Sequence, residues 1–151
     1  MANGLYTKEP HRVFQATYSF TLAGSSGTQL VQFKTGTKIP VLIESQATTA
    51  TSNITLELIE SPTITNGTTA VNAYVLDRNS ANTAVTTLFS DPTSVSGGTT
   101  ILTELIPASN QGSSEHQDLF TRPLKASTSY VFKFTNLGNA SPCLLNVVWY
   151  E

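Results

Sequence analysis

The sequence predicts an all-β fold, an antiparallel β-sandwich of about eight to nine short strands. Three observations carry that expectation. Apolar and polar residues alternate with a period of two in one segment after another, as half-buried strands require. Turn-forming Gly, Pro, Asn and Ser divide these segments at spacings of roughly 8–15 residues, the rhythm of a sandwich or barrel. No window sustains apolar residues at three- and four-residue spacing, and Thr and Val stand where a helix favours Ala, Leu, Glu and Lys.

The first strand is read at Phe14 to Leu22, where Phe14, Ala16, Tyr18, Phe20 and Leu22 alternate with Gln15, Thr17, Ser19 and Thr21. A turn at Gly24 to Gly27 leads to a second strand, Thr28 to Lys34, carrying Leu30, Val31 and Phe33. Thr35-Gly36-Thr37 precedes a third, Ile39 to Gln46, whose Pro40 suits the start of a strand because it has no N–H to give to a ladder. In the fourth, Asn53 to Glu60, Ile54, Leu56 and Leu58 alternate with Thr55 and Glu57, and Pro62 with Asn66-Gly67 closes it. Further strands are expected at Ala70 to Asp77, Ala84 to Ser90, Thr99 to Ile106, Ser127 to Thr135 and Cys143 to Tyr150. Tyr130, Phe132 and Phe134 share one face of the penultimate strand. Both faces of the last are largely apolar, which predicts a central position. Residues 13–151 thus form one β-sandwich domain, preceded by an N-terminal arm, 1–12, with no strand pattern.

Composition limits the function. Charged residues make up 12% of the 151 and the formal net charge is −2, so Thr, Ser and Asn must cover the surface. Such a surface opposes association weakly, and a partner or an oligomer is expected. Eight Lys and Arg scattered along the chain leave no basic footprint, so no nucleic-acid partner is expected. No run approaches the ~18 apolar residues of a membrane span, and Met1 to Val13 does not read as a signal peptide. The lone Cys143 cannot form an internal disulfide, in keeping with a reducing cytoplasm as the place of folding.

Candidate chemistry is sparse. Cys143 with His11 or His116 could in principle make a nucleophilic pair, but Cys143 opens an apolar strand and reads as a core or edge thiol. Glu115, His116 and Asp118 are metal-capable residues of one polar loop, without the fixed spacing of a metal site. Glu57 and Glu60 are a carboxylate pair available to acid–base chemistry with nothing else to support it. Asn53-Ile-Thr, Asn66-Gly-Thr and Asn139-Ala-Ser match the glycosylation pattern and read as ordinary polar residues. No catalytic residue, cofactor or metal is therefore expected, and the protein is expected to bind rather than catalyse. The aromatics Phe14, Tyr18, Phe20, Phe33, Phe132, Phe134 and Trp149 are expected inward, leaving Tyr6 and Tyr74 for surface contact. Two polar loops stand out as recognition elements, Asp77 to Thr83 and Pro107 to Asp118.

Three fragments carry a family resemblance: Thr35-Gly36-Thr37-Lys38-Ile39-Pro40-Val41-Leu42-Ile43, Glu57-Leu58-Ile59-Glu60-Ser61-Pro62-Thr63-Ile64-Thr65, and the run Arg122-Pro123-Leu124-Lys125-Ala126-Ser127-Thr128-Ser129-Tyr130-Val131-Phe132-Lys133-Phe134-Thr135-Asn136. With the strand order, they make Pro10 to Glu151 resemble the head decoration, or cement, proteins of tailed bacteriophages, which are built as jelly rolls. The resemblance implies a homotrimer on the outer surface of the virion, made in the host cytoplasm, that staples neighbouring copies of the major capsid protein. It brings no catalytic residues. The alternative is a receptor- or carbohydrate-binding head of a phage tail fibre or other appendage. The expected partner contacts are Leu5, Tyr6, Lys8 and Arg12 of the arm and Asn110, Gln111, Glu115 and His116 of the second loop. Segments without a strand pattern and long polar loops often order only on binding.

Overall fold

Ten residues of near-strict alternation make the first strand, β1 (Val13–Leu22), and its inward set, Phe14, Ala16, Tyr18, Phe20 and Leu22, belongs to or packs against the core. The computed structural model describes residues 9–109 and 122–151. Within them follow β2 (Thr28–Lys34), β3 (Val41–Thr49), β4 (Ile54–Glu60), β5 (Thr63–Thr65), β6 (Thr69–Val71) and β7 (Ala73–Val75). After these come β8 (Thr87–Ser90), β9 (Thr93–Ser96), β10 (Thr99–Ile106), β11 (Arg122–Pro123), β12 (Ser129–Asn136) and β13 (Ser141–Tyr150). A 3-10 turn at Pro10–Arg12 precedes β1.

Two sheets face each other. One has the order β11-β3-β13-β1-β7 and the other β10-β4-β12-β2-β8-β6, while β5 and β9 pair as a separate ribbon. Every pairing is antiparallel. Set aside β5 to β9, and the remaining eight strands fall into two four-stranded sheets, β11-β3-β13-β1 and β10-β4-β12-β2. First and last strands lie side by side, and the chain switches sheets at every step except β4 to β10. That connectivity is the jelly roll, two interleaved Greek keys. The strand count exceeds the expected eight to nine because the stretch between β4 and β10 holds five short strands where two were expected, and because β11 adds another. Three of them widen the sheets: β8 and β6 beyond β2, and β7 beyond β1.

The expected central place of the last strand holds, with β13 between β1 and β3. The core between the sheets is aromatic. Trp149 packs edge-on against Phe33, with ring centroids 5.3 Å apart, and stacks with Phe14 at 6.0 Å; Phe132 meets Phe33 edge-on at 6.2 Å. Ile54, Leu56 and Leu58 of β4 are fully buried. A bulge sets the face of β3. Val148 pairs with Glu44 but Trp149 pairs with Leu42, so Ile43 is an extra residue. Without it, the alternation starting at Leu42 would carry Glu44 into the core; with it, Ile43 joins Val13 and Val148 in a small outer cluster. Glycine is required where the inserted strands meet the body: a Cβ on Gly67 would lie 2.1 Å from the Ser90 carbonyl oxygen, and Gly98 has φ of +81°.

Candidate functional site

The ends of β1, β3 and β13 coincide where Val13, Val41 and Tyr150 align. There the Pro10–Arg12 turn is docked onto the body rather than free. Glu151 N–H donates to the Arg12 carbonyl at 3.1 Å, and Asn82 Nδ2 to the His11 carbonyl at 2.8 Å. Arg12, the one expected contact residue among those described, is spent on this docking. Its guanidinium lies 4.4 Å above the Tyr150 ring, donates through Nε to the Glu151 carbonyl at 3.1 Å, and pairs with Glu9 at 3.4 Å. The Tyr150 hydroxyl donates to the Glu9 carboxylate. That bond is the main cause holding the Glu9 carboxyl below the usual range and pushing the Tyr150 hydroxyl up.

Beneath lies Glu151, 3% exposed. Its carboxylate accepts from Val85 N–H at 2.5 Å, Thr86 N–H at 3.2 Å and the Thr86 hydroxyl at 2.7 Å, so it pins the loop before β8. Gly36 fits directly against Val85, since a Cβ there would come within 2.9 Å of the Val85 side chain. Ile39 on the β2–β3 loop and Val85 are 63% and 40% exposed. This end therefore carries two exposed aliphatic side chains beside Lys38. Arg122 pairs with Leu42 of β3.

A second concavity opens on the side of the molecule. The stretch expected as one strand, Ala70 to Asp77, divides at Asn72: β6 pairs with β8 in one sheet and β7 with β1 in the other. Where the chain crosses, it walls a groove of about 700 Å³ against β1. Tyr74, 53% exposed, supplies an aromatic face, and the Arg78 guanidinium lies 5.2 Å over its ring. Tyr18, half-buried and stacked on Phe20 at 5.4 Å, lines the same groove. Gln15 Nε2 donates to Asn146 Oδ1 at 2.7 Å and Thr17 Oγ1 to the same oxygen at 3.2 Å, fixing both side chains at the rim.

The other sequence candidates find structural partners. Cys143 is buried, and burial is the main cause raising its thiol pKa. It pairs with Phe20, seven residues along β1 from Val13, or about 24 Å at ~3.4 Å per residue. His11 is therefore remote from it. Glu57 pairs with Lys133 at 3.5 Å; Glu60 pairs with Lys125 at 2.7 Å and accepts from the Tyr130 hydroxyl at 3.0 Å. Asn53 accepts from Ala108 N–H and Asn66 from Gln32. Among the described residues no three His, Cys, Asp or Glu side chains gather where they could hold a metal ion. Leu5, Tyr6, Lys8, Asn110, Gln111, Glu115, His116 and Asp118 lie outside the described residues.

Tyr74 was legible as a surface aromatic and Arg78 lies in the Asp77 to Thr83 loop expected as a recognition element, but Ile39, Asn72 and Val85 were expected inside strands that begin later or divide there. The chain matches no protein-family model, no curated protein and no solved structure.

Proposed function

We propose that this protein is a structural virion component that binds the outer surface of a phage capsid as a homotrimer and stabilises the shell. The end of the sandwich bearing Ile39, Val85 and Lys38 is the docking end. The observation that carries the reading is the gathering at that one end of two exposed aliphatic side chains, Ile39 and Val85, beside Lys38. The resemblance to head decoration proteins and the jelly-roll connectivity support it. Covering Ile39 against a partner contributes roughly 2 kcal/mol per copy, too little for a stable monomeric complex. Three linked copies multiply such small terms through effective concentration.

The test is co-sedimentation with purified DNA-filled heads lacking this protein, using wild type and an Ile39→Asp/Val85→Asp double variant. Because Val85 packs on Gly36 and its N–H binds Glu151, circular dichroism checks that the double variant is folded, and Ile39→Asp alone, at a position 63% exposed, is run beside it. Saturable binding by wild type and loss by the variant are expected. Equal binding of the two removes this end from the interface, and no binding by wild type removes the capsid reading. Light scattering should give three times the 16.2 kDa chain mass.

A further inference from the structure

The lateral groove has a chemistry the assembly role does not need. Tyr74 and Tyr18 present aromatic surface, and next to them stand polar groups without a hydrogen-bond partner for their side chains among the described residues. The Asn72 amide, the Tyr18 hydroxyl and every N–H of Arg78 make no side-chain hydrogen bond to a described residue. Gln15 has given its N–H to Asn146, which leaves its carbonyl oxygen as an acceptor held in place. Among the described lining residues Arg78 is the only charged one, and no described carboxylate pairs with it.

These features discriminate between ligand classes. An apolar peptide or lipid would cover an amide, a hydroxyl and a guanidinium without offering them hydrogen-bond partners, which opposes its binding. A pyranose ring meets both demands: its C–H face lies on an aromatic ring while its hydroxyls bridge donors and acceptors such as Asn72 and Gln15. The guanidinium fork beside the ring matches a carboxylate in two-point geometry. A volume of about 700 Å³ falls in the range of small-ligand sites, roughly 300–1,000 Å³. We propose that the groove between β1 and the β6–β7 crossover is a binding site for an acidic saccharide, one sugar ring stacking on Tyr74 and its carboxylate held by Arg78. Gln15, oriented by Asn146, is the positioning residue at the rim.

The groove runs along β1 as far as Tyr18 and its Arg78 edge adjoins the docking end, where Asp77 N–H donates to the Pro10 carbonyl, but this inference does not rest on the capsid reading, because its test uses the protein without heads. The test is a panel of oligosaccharides containing glucuronate, galacturonate, mannuronate or sialic acid, each beside its neutral methyl ester. Binding is read by calorimetry and by amide shifts in nuclear magnetic resonance. Wild type is expected to bind at least one acid form at least tenfold more tightly than its ester, with shifts confined to residues 15–18 and 69–78. Tyr74→Ala is expected to weaken that binding tenfold or more, and Arg78→Gln to abolish the preference for acid over ester. Both side chains are exposed, and an unchanged spectrum elsewhere shows that each variant is folded. No binding anywhere in the panel, equal binding of acid and ester, or affinity unaltered in Tyr74→Ala would each overturn the proposal.

Discussion

Trp149 offers the sharpest test of the core, because two opposing terms at one side chain can be separated. It is fully buried and packs on Phe33 and Phe14, yet its indole N–H has no hydrogen-bond partner among the described residues. Trp149→Ala deletes the largest core side chain and should cost about 3–5 kcal/mol. The upper half of that range is expected, because two aromatic pairs, about 0.5–1.5 kcal/mol each, are lost as well. Trp149→Phe keeps a ring between Phe33 and Phe14. It forfeits roughly 2 kcal/mol of buried area but also removes an unpaired buried donor costing about 1–3 kcal/mol. The two terms nearly cancel, so the variant should stay within about 1 kcal/mol of wild type. Trp149 is the sole tryptophan, so the assay is denaturant unfolding followed by far-ultraviolet circular dichroism, with the m-value checked for constancy. A Trp149→Phe loss above ~3 kcal/mol would refute the reasoning, since it would mean that the indole N–H is bonded in solution.

The latch and the acid response give two further expectations. Glu151→Ala leaves the Val85 and Thr86 N–H groups without their acceptor, at about 1–3 kcal/mol for the buried Thr86 donor and less for the part-buried Val85 one. Hydrogen exchange at those two amides should accelerate ahead of the strands, and unchanged protection would show that Glu151 does not hold the loop. The Glu60 carboxyl is held below its ordinary value of 4.5 chiefly by the hydrogen bond from Lys125, then by that from Tyr130. A depressed folded-state pKa stabilises above the unfolded value and is lost as pH falls through the folded one. Stability should therefore hold from neutrality to about pH 5 and decline below 4.5, with a shallower decline in Glu60→Gln; an identical acid slope in that variant would remove Glu60 from the account.

How much of this was legible in the sequence follows from where alternation is strong. Phe14 to Leu22, Ile54 to Leu58 and Tyr130 to Phe134 show a clean period of two, and those strands lie where expected, with Phe132 and Trp149 fully buried. Thr63–Thr65, Thr93–Ser96 and Arg122–Pro123 escaped notice because two to four mostly polar residues carry no periodicity; only their partners make them strands. The third strand begins at Val41, after Pro40, and its bulge at Ile43 breaks the alternation that would have placed Glu44 inward. Ala70 to Asp77 has enough β-forming residues for one strand, and nothing in it announces that the chain changes sheets at Asn72. The groove is a product of that crossing. Arg12 belonged to the arm in sequence because Pro10–Arg12 has no pattern, yet Tyr150 and Glu151, more than a hundred residues away, hold it on the body.

A reconstruction by electron cryomicroscopy of DNA-filled heads, with and without the added protein, tests the central claim most directly. The account predicts added density on the outer surface of the shell, in groups of three. The sandwich should stand with Ile39, Val85 and Lys38 toward the coat subunits and the Tyr74–Arg78 groove facing sideways into solvent. Shells identical with and without the protein, or density confined to the tail, would contradict it.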